Sequence, residues 1–561
     1  MQAETGSMDV EVVILGTGLR EAILAAALSK AGFTVAHLDY NEYYGGDDAS
    51  LSLDELRKWA RERSEPPHTS NYLSSQRARF TAVSSSWEAV HAQARHFSIS
   101  LSPTTLPSVG PLIDSLMASG SSRYGGFKLL ERVALYDKPG YVKMVPGSKE
   151  DVFKSSELGL LDKRRLMRFL MFATSEFEDK PELVGHEDTP FVDFLRQTFS
   201  LNEGASIAVA YALAFNTTTS DTTLPALQRI RRYLRSAGRY GPSPFLVGHY
   251  GGAGEVAQGF CRLSAVHGGI YILGREVTSI TTSEIPAPPS STASPRTRYT
   301  LALQDFPEQL SCDVLISTHD YLDPSLKSQA TRISSDRPSQ AIARCIAVID
   351  KPIVFRSSQF SNSQGASEDE TDGSTQVDTA LLIFPPSCLE AGSSTAAANV
   401  LISGPQAYAA PEGHFLLHLS MPLVEPTSRT AEELLKPYLD ATLSMADAGR
   451  ETSASESQPI RPSHTLFYVQ HLPTPPSPSD ASQSLGSLFV PPSDETMLSE
   501  LSDSAATNAE TTFWKVVEKL KEIRRIKRES AETEGDKSVE EPVVDSFWPP
   551  ISDTTVVDQD W

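Results

Sequence analysis

The apolar positions first gather in Val10-Glu11-Val12-Val13-Ile14-Leu15, a mostly β-branched run that predicts a buried parallel strand. Gly16-Thr17-Gly18 then predicts a turn, and Glu21 to Lys30 carries Ala and Leu at helical density up to Gly32. Thr34 to Leu38 predicts a second short strand ending in Asp39. Further along, Leu51, Leu53, Leu56 and Trp59 fall on or near one face of a helix from Leu51 to Arg63. Residues 64 to 96 are polar and Ser-rich and predict loop. Gly110 to Ser119 predicts a short helix, and Phe127 to Val145 two strands around a Lys138-Pro139-Gly140 turn.

The period then changes. Leu166, Phe169, Leu170 and Ala173 recur at i, i+3, i+4 and i+7 within Leu160 to Phe177. Phe191 to Thr198, Ala205 to Ala214 and Leu224 to Ser236 predict more helices, so 148–237 reads as an all-α domain inserted between two parts of an α/β domain, 8–147 and 238–528. In the second part a Gly-rich loop leads into a helix, Val256 to Val266, and a strand, Ile270 to Leu273. Short strands follow at Tyr299 to Leu303, Val314 to Ser317, Arg344 to Ile349, Ala380 to Ile383 and His414 to Leu419. Phe513, Val516, Val517, Leu520 and Ile523 share one face of a last, basic helix from Phe513 to Lys527, expected to pack on the core. Insertions at 285–295, 357–376, 450–463 and 473–484 are rich in Ser, Pro, Gly and acids and too polar to repay ordering; 529–561 reads as an acidic tail.

Composition narrows the function classes. Lys and Arg number 49 against 71 Asp and Glu, a net charge of −22, which argues against nucleic acid and against adhesion to anionic membranes. Cys261, Cys312, Cys345 and Cys388 lie far apart with no C-x-x-C, so neither a disulfide framework nor a zinc site is expected. With no signal-peptide pattern, no apolar run of membrane-spanning length and no prenylation box, a cytosolic protein is expected. No nucleophile–base motif and no metal cluster stand out, so no catalytic residue is assigned.

The opening βαβ unit has most of a dinucleotide fingerprint: Gly16 and Gly18 at the turn, and Asp39 about twenty residues on. The third small residue is missing. Glu21 stands in its place, adding bulk and negative charge where a pyrophosphate would sit. Three readings remain open at this point: a flavin or nicotinamide site, an ordinary βαβ unit, and a flavoprotein-like fold that has lost its cofactor.

Three stretches resemble the family of Rab GDP dissociation inhibitors and Rab escort proteins. They are Leu15-Gly16-Thr17-Gly18-Leu19 through Tyr43-Tyr44-Gly45-Gly46; Lys163-Arg164-Arg165 with Phe169-Leu170; and Arg239-Tyr240-Gly241 with Tyr250-Gly251, Gly254-Glu255, Gln258-Gly259-Phe260, Arg262 and Gly268-Gly269-Ile270-Tyr271. They cover roughly 8 to 280 in family order. The resemblance implies a flavoprotein-like α/β domain with a parallel sheet but without flavin, carrying a helical second domain. It also implies a platform for GDP-bound Rab GTPases, whose matching positions here are Tyr44, Glu255, Arg262, Ile270 and Ile272. On the residues alone, Glu255 and Arg262 are seven apart and project from one helix edge, which suits a protein-binding face or a surface helix with routine charges. Gly248-His249 stands where relatives usually carry Pro and Leu, and Ala257 where they carry Pro.

Escort proteins are further implied to dock on the α subunit of Rab geranylgeranyltransferase through a Phe and an Arg eleven residues apart; Phe153 and Arg164 match that spacing. An apolar Phe153 near a polar helix start suits a plug for a partner's pocket, or a residue packed in its own domain. The Ser546-Phe547-Trp548-Pro549-Pro550 stretch also resembles escort-protein tails. The expectation is a non-catalytic escort that presents GDP-bound Rab proteins to the transferase α/β heterodimer, shields the geranylgeranyl lipid of the Rab tail and delivers the prenylated Rab to membranes, which it visits transiently. The alternatives are a Rab GDP dissociation inhibitor and a flavin-dependent oxidoreductase.

Overall fold

Two sheets organise the computed structural model, which describes residues 7–65, 70–87, 93–144, 159–286, 296–329, 331–332, 341–356, 374–446, 460–472, 486–532 and 544–549. The first is built on strand Ser7–Leu15, which pairs in parallel with Val35–Asp39 on one side and Gln309–Ser317 on the other. Its apolar run serves both faces. Val12 and Ile14 enter the core beneath a helical layer, while Val13 and Leu15 enter a separate core on the opposite face. Ile270–Leu273 adds a parallel strand at one edge, and Arg296–Leu303 and Val277–Ile285 add antiparallel strands at the other. The helical layer consists of Leu19–Lys30 between Ala253–Val266 and Leu501–Glu532. Leu19–Lys30 can lie in the middle because its Ala-rich sequence buries nearly its whole circumference.

The second sheet joins strands from most of the chain. Its order is Phe80–Trp87, His464–His471, Ala341–Ile349, Phe415–Leu423, Ala398–Ser403, Thr379–Phe384, Arg132–Lys138 and Tyr141–Met144. All neighbours are antiparallel except Arg132–Lys138 with Thr379–Phe384. Helices Leu160–Ala173, Phe191–Phe199, Glu203–Ile207 and Thr223–Ser236 form the expected all-helical stretch. Their aromatic core (Phe169, Phe172, Phe177, Phe191, Phe194 and Phe199) closes against Leu381, Ile383 and Leu401 of this sheet.

Several elements differ from expectation. Residues 64–96 are not all loop: Ser70 caps a helix, Asn71–Arg79, and Phe80–Trp87 is a strand. The helix buries only Tyr72, Leu73 and Gln76, too few apolar positions to show a period. The strand lies at a sheet edge, where outward serines cost little. The last helix starts twelve residues before Phe513, at Leu501. Within the stretch read as acidic tail, the helix continues to Glu532, and Val544 and Phe547 return to the core with Trp548 stacked on Phe260. Of the polar insertions, 287–295, 357–373, 447–459 and 473–485 lie outside the described residues.

Candidate functional site

At the dinucleotide loop the chain's own side chains make the contacts that a cofactor would need. Thr17 donates from its backbone N–H (2.8 Å) and its hydroxyl (2.6 Å) to Asp39 Oδ2. Asp39 Oδ1 accepts from Asn41 N–H and Nδ2 (2.8 Å each) and from the Tyr321 hydroxyl (3.0 Å), so this carboxylate has no capacity left for a ribose. The first-turn amide of Leu19, which would point at a pyrophosphate, donates instead to Asp48 Oδ2 at 2.9 Å. Burial pushes the Asp48 carboxyl up to about 7. Glu21 is buried and engaged by Arg20, whose guanidinium also reaches Asp494 (3.2 Å) and the Pro492 carbonyl. The cavity that remains, about 110 Å³ between Gly16, Gly18, Arg79 and Arg344, is well below the size of a small-molecule site. A flavin or nicotinamide dinucleotide does not fit these residues. Among the described residues, no group of three or more His, Cys, Asp and Glu could hold a metal ion, and no helix is long and apolar enough to cross a membrane.

The other candidate surface is built around helix Ala253–Val266. Its entry is a close approach. A Cβ on Gly254 would strike the backbone nitrogen of Ser50 and come within 2.9 Å of the Ala49 carbonyl carbon, so the helix start is clamped against the loop that follows Tyr44. Val256, Ala257, Phe260, Cys261, Leu263 and Ser264 face inward. Glu255, Gln258 and Arg262 therefore share an outward stripe, with Glu255 and Arg262 about 10 Å apart along the axis. Glu255 is half-buried, makes no hydrogen bond or ion pair among the described residues, and has its carboxyl pKa raised by burial. Arg262 is exposed and meets no carboxylate among the described residues; its guanidinium rests 4.8 Å over the Tyr124 ring.

The remaining expected positions surround this stripe. Tyr44 is half-buried, its ring edge-on to Tyr271 at 5.7 Å, and Tyr271 belongs to the edge strand Ile270–Leu273. Ile270 and Ile272 alternate with Tyr271 and take the other face of that strand; Ile272 rests on the opposite core and Ile270 is 37% exposed. Tyr44, Glu255 and Arg262 thus lie on the helical side of the sheet, with the two isoleucines around its rim. Arg164 is exposed on Leu160–Ala173 and forms no ion pair among the described residues, beside exposed Leu160 and Leu161. Phe153 lies outside the described residues. Tyr124 and Asp48 were not singled out from sequence. Tyr124 sits in a short turn with no pattern, and Asp48 in a loop whose meaning depends on a helix thirty residues upstream.

Fold and site together define a class: a dinucleotide-binding architecture whose cofactor position is closed by its own acids, with a solvent-facing charged stripe beside the sheet edge. The GDP dissociation inhibitor model matches residues 7–364, and the chain belongs to that family. It is 27% identical over 551 residues to the Rab proteins geranylgeranyltransferase component A of Saccharomyces cerevisiae, covering 91% of this chain and 84% of the relative. It is 37% identical over 283 residues to the component A of Drosophila melanogaster, covering 48% of this chain and 54% of the relative. Among solved structures it resembles a Rab GDI from Plasmodium falciparum (TM-score 0.59, 20% identity, 91% of this chain and 98% of that one). It also resembles an oxidoreductase from Methanosarcina mazei (TM-score 0.52, 15% identity, 90% and 99%), a likeness of fold.

Proposed function

We propose that this chain is a Rab escort protein: it binds GDP-bound Rab GTPases and brings them to Rab geranylgeranyltransferase as a non-catalytic component. The observation that carries the reading is the pair of opposite charges on the Ala253–Val266 stripe, neither of which meets an opposite charge among the described residues. A half-buried carboxylate with no donor is costly in the free protein, and a partner that supplies the donor recovers that cost. Arg262, held over the Tyr124 ring, is a cation of the kind that anchors interfaces. Tyr44 supplies an apolar edge on the helical side and Ile270 one at the sheet margin, while Ile272 is half-buried against the opposite core. The named component A relatives support the escort role over a dissociation inhibitor, and the transferase would dock at exposed Arg164, Leu160 and Leu161 together with Phe153.

A geranylgeranyl chain of about twenty carbons gains about 0.8 kcal/mol per buried CH₂. The helices between Leu160 and Ser236 are the proposed shield. A π-helical turn at Ala208–Leu213 lies among them, and such turns cluster at functional sites. The protein would work in the cytosol, with transient visits to membranes. The test is titration of GDP-loaded Rab protein and of purified transferase against the unaltered chain and Arg262→Ala. Arg262→Ala should weaken Rab binding by about 1–3 kcal/mol while leaving transferase binding unchanged. A chain that binds Rab but never the transferase is a dissociation inhibitor; one that binds neither overturns the proposal.

A further inference from the structure

Two tyrosines from distant segments meet on the surface next to the platform. Tyr250, just before helix Ala253–Val266, stacks on Tyr408 with ring centroids 5.0 Å apart and planes 17° from parallel. Their loops are joined by Tyr250 N–H donating to the Ala407 carbonyl at 3.1 Å, and His249 stands edge-on to Tyr408 at 4.9 Å. Both rings are about half exposed, at 48% and 51%. Both residues also have left-handed backbones, with φ of 51° and 54°. An aromatic residue at positive φ is strained, and glycine would hold either turn more easily. A pair kept strained and solvent-facing gains little for the fold that a smaller residue would not supply.

The surroundings say where a partner would come from. Gly251 and Gly254 hold this loop against Ser50, six residues after Tyr44. Glu255 stands in the first turn of the helix that Tyr250 introduces. The tyrosine pair is therefore continuous with the Tyr44–Glu255–Arg262 surface rather than a separate patch. Tyr408 belongs to the part of the chain where the family resemblance no longer assigns roles.

We propose that Tyr250 and Tyr408 form an aromatic extension of the platform that receives an aliphatic or aromatic side chain of the same GTPase partner. This rests on the reading that the platform binds a GDP-bound Rab protein. Tyr is enriched among the residues that dominate interface energetics, and two stacked rings offer a rigid apolar surface at small entropic cost. The strain is kept because it presents the rings outward.

The test uses the full chain, GDP-loaded Rab protein, and the variants Tyr408→Gly and Tyr408→Asn, both of which tolerate the left-handed turn. Each should weaken Rab binding about tenfold or more with a thermal midpoint no lower than that of the unaltered chain. The loss should be the same at low and high salt, whereas the loss caused by Arg262→Ala should shrink as salt rises. Variants that bind as well as the unaltered chain overturn this extension alone. Weaker binding only in company with a lower thermal midpoint in both variants assigns the pair to the fold and overturns it too. If the unaltered chain binds no Rab protein, the platform reading and the extension fall together.

Discussion

Replacing Asp48 by Asn should stabilise the protein at neutral and higher pH, although it removes a carboxylate from a helix N-terminus. Asp48 accepts the Leu19 amide, but Asp47, Glu21 and Asp494 bear on it, and burial outweighs the hydrogen bond, so its proton is held up to about 7 against 3.8 in an open chain. A carboxyl with a raised folded-state pKa imposes no penalty while both states are protonated. The penalty grows as pH climbs from about 3.8 and is complete above about 7. At about 1.36 kcal/mol per pH unit the interval corresponds to about 4 kcal/mol, and solvent reaching the open side of Asp48 brings it nearer 2–3. An amide keeps an acceptor for Leu19 without the charge, and near pH 4, where the folded Asp48 carboxyl is protonated, the two side chains are nearly equivalent. The net expectation is little change near pH 4 and stabilisation by about 2–3 kcal/mol at pH 8, read as the shift in urea midpoint at each pH. A pH-independent effect, or an Asn variant weaker than the unaltered protein at pH 8, would refute the reasoning.

Further outcomes follow from the same geometry. Arg164→Ala should reduce transferase binding in pull-down and leave Rab affinity unchanged; a loss of both together would place Arg164 in the fold instead. Gly254→Ala should cost about 1–3 kcal/mol by thermal unfolding, because the new methyl group meets the backbone of Ser50, and should weaken Rab binding as the helix lifts from that loop. Trp548→Ala should destabilise by about 2–4 kcal/mol by uncovering Phe260, and an unchanged thermal midpoint would show that the stacking contributes nothing. Purified protein should lack flavin absorption in the visible range, since Asp48 and Asp39 already occupy the groups a dinucleotide would use; stoichiometric flavin would contradict that.

The parts legible in the sequence were those governed by local period. Val10 to Leu15, the Ala-rich first helix and the stripe of Glu255 and Arg262 follow from spacing within a few turns, whereas the close approach of Gly251 and Gly254 to Ser50 was hidden in what read only as a Gly-rich loop. The second sheet was not legible as a sheet. Its strands, such as Phe80–Trp87 beside His464–His471, find partners hundreds of residues away, and no local pattern encodes that pairing. The closure of the dinucleotide site was half legible. Glu21 announced that a phosphate was unwelcome, but the group that took its place, Asp48, became visible only when its loop folded back onto the first helix. Tyr408 carried no signal, because an exposed tyrosine in a loop gains meaning only from Tyr250 beside it.

The position of helix Leu19–Lys30 has a consequence for how the protein is made. Its two covers, Ala253–Val266 and Leu501–Glu532, are encoded roughly 220 and 470 residues after it. At about 5–20 residues per second, a ribosome emits the second cover about 25–95 s after the first helix. Throughout that interval the nascent βαβ unit bears an apolar helix with at least one bare side. Biosynthesis of this chain should therefore lean on chaperones that hold exposed apolar segments, and messages truncated before Leu501 should yield aggregates rather than shortened, partly active protein.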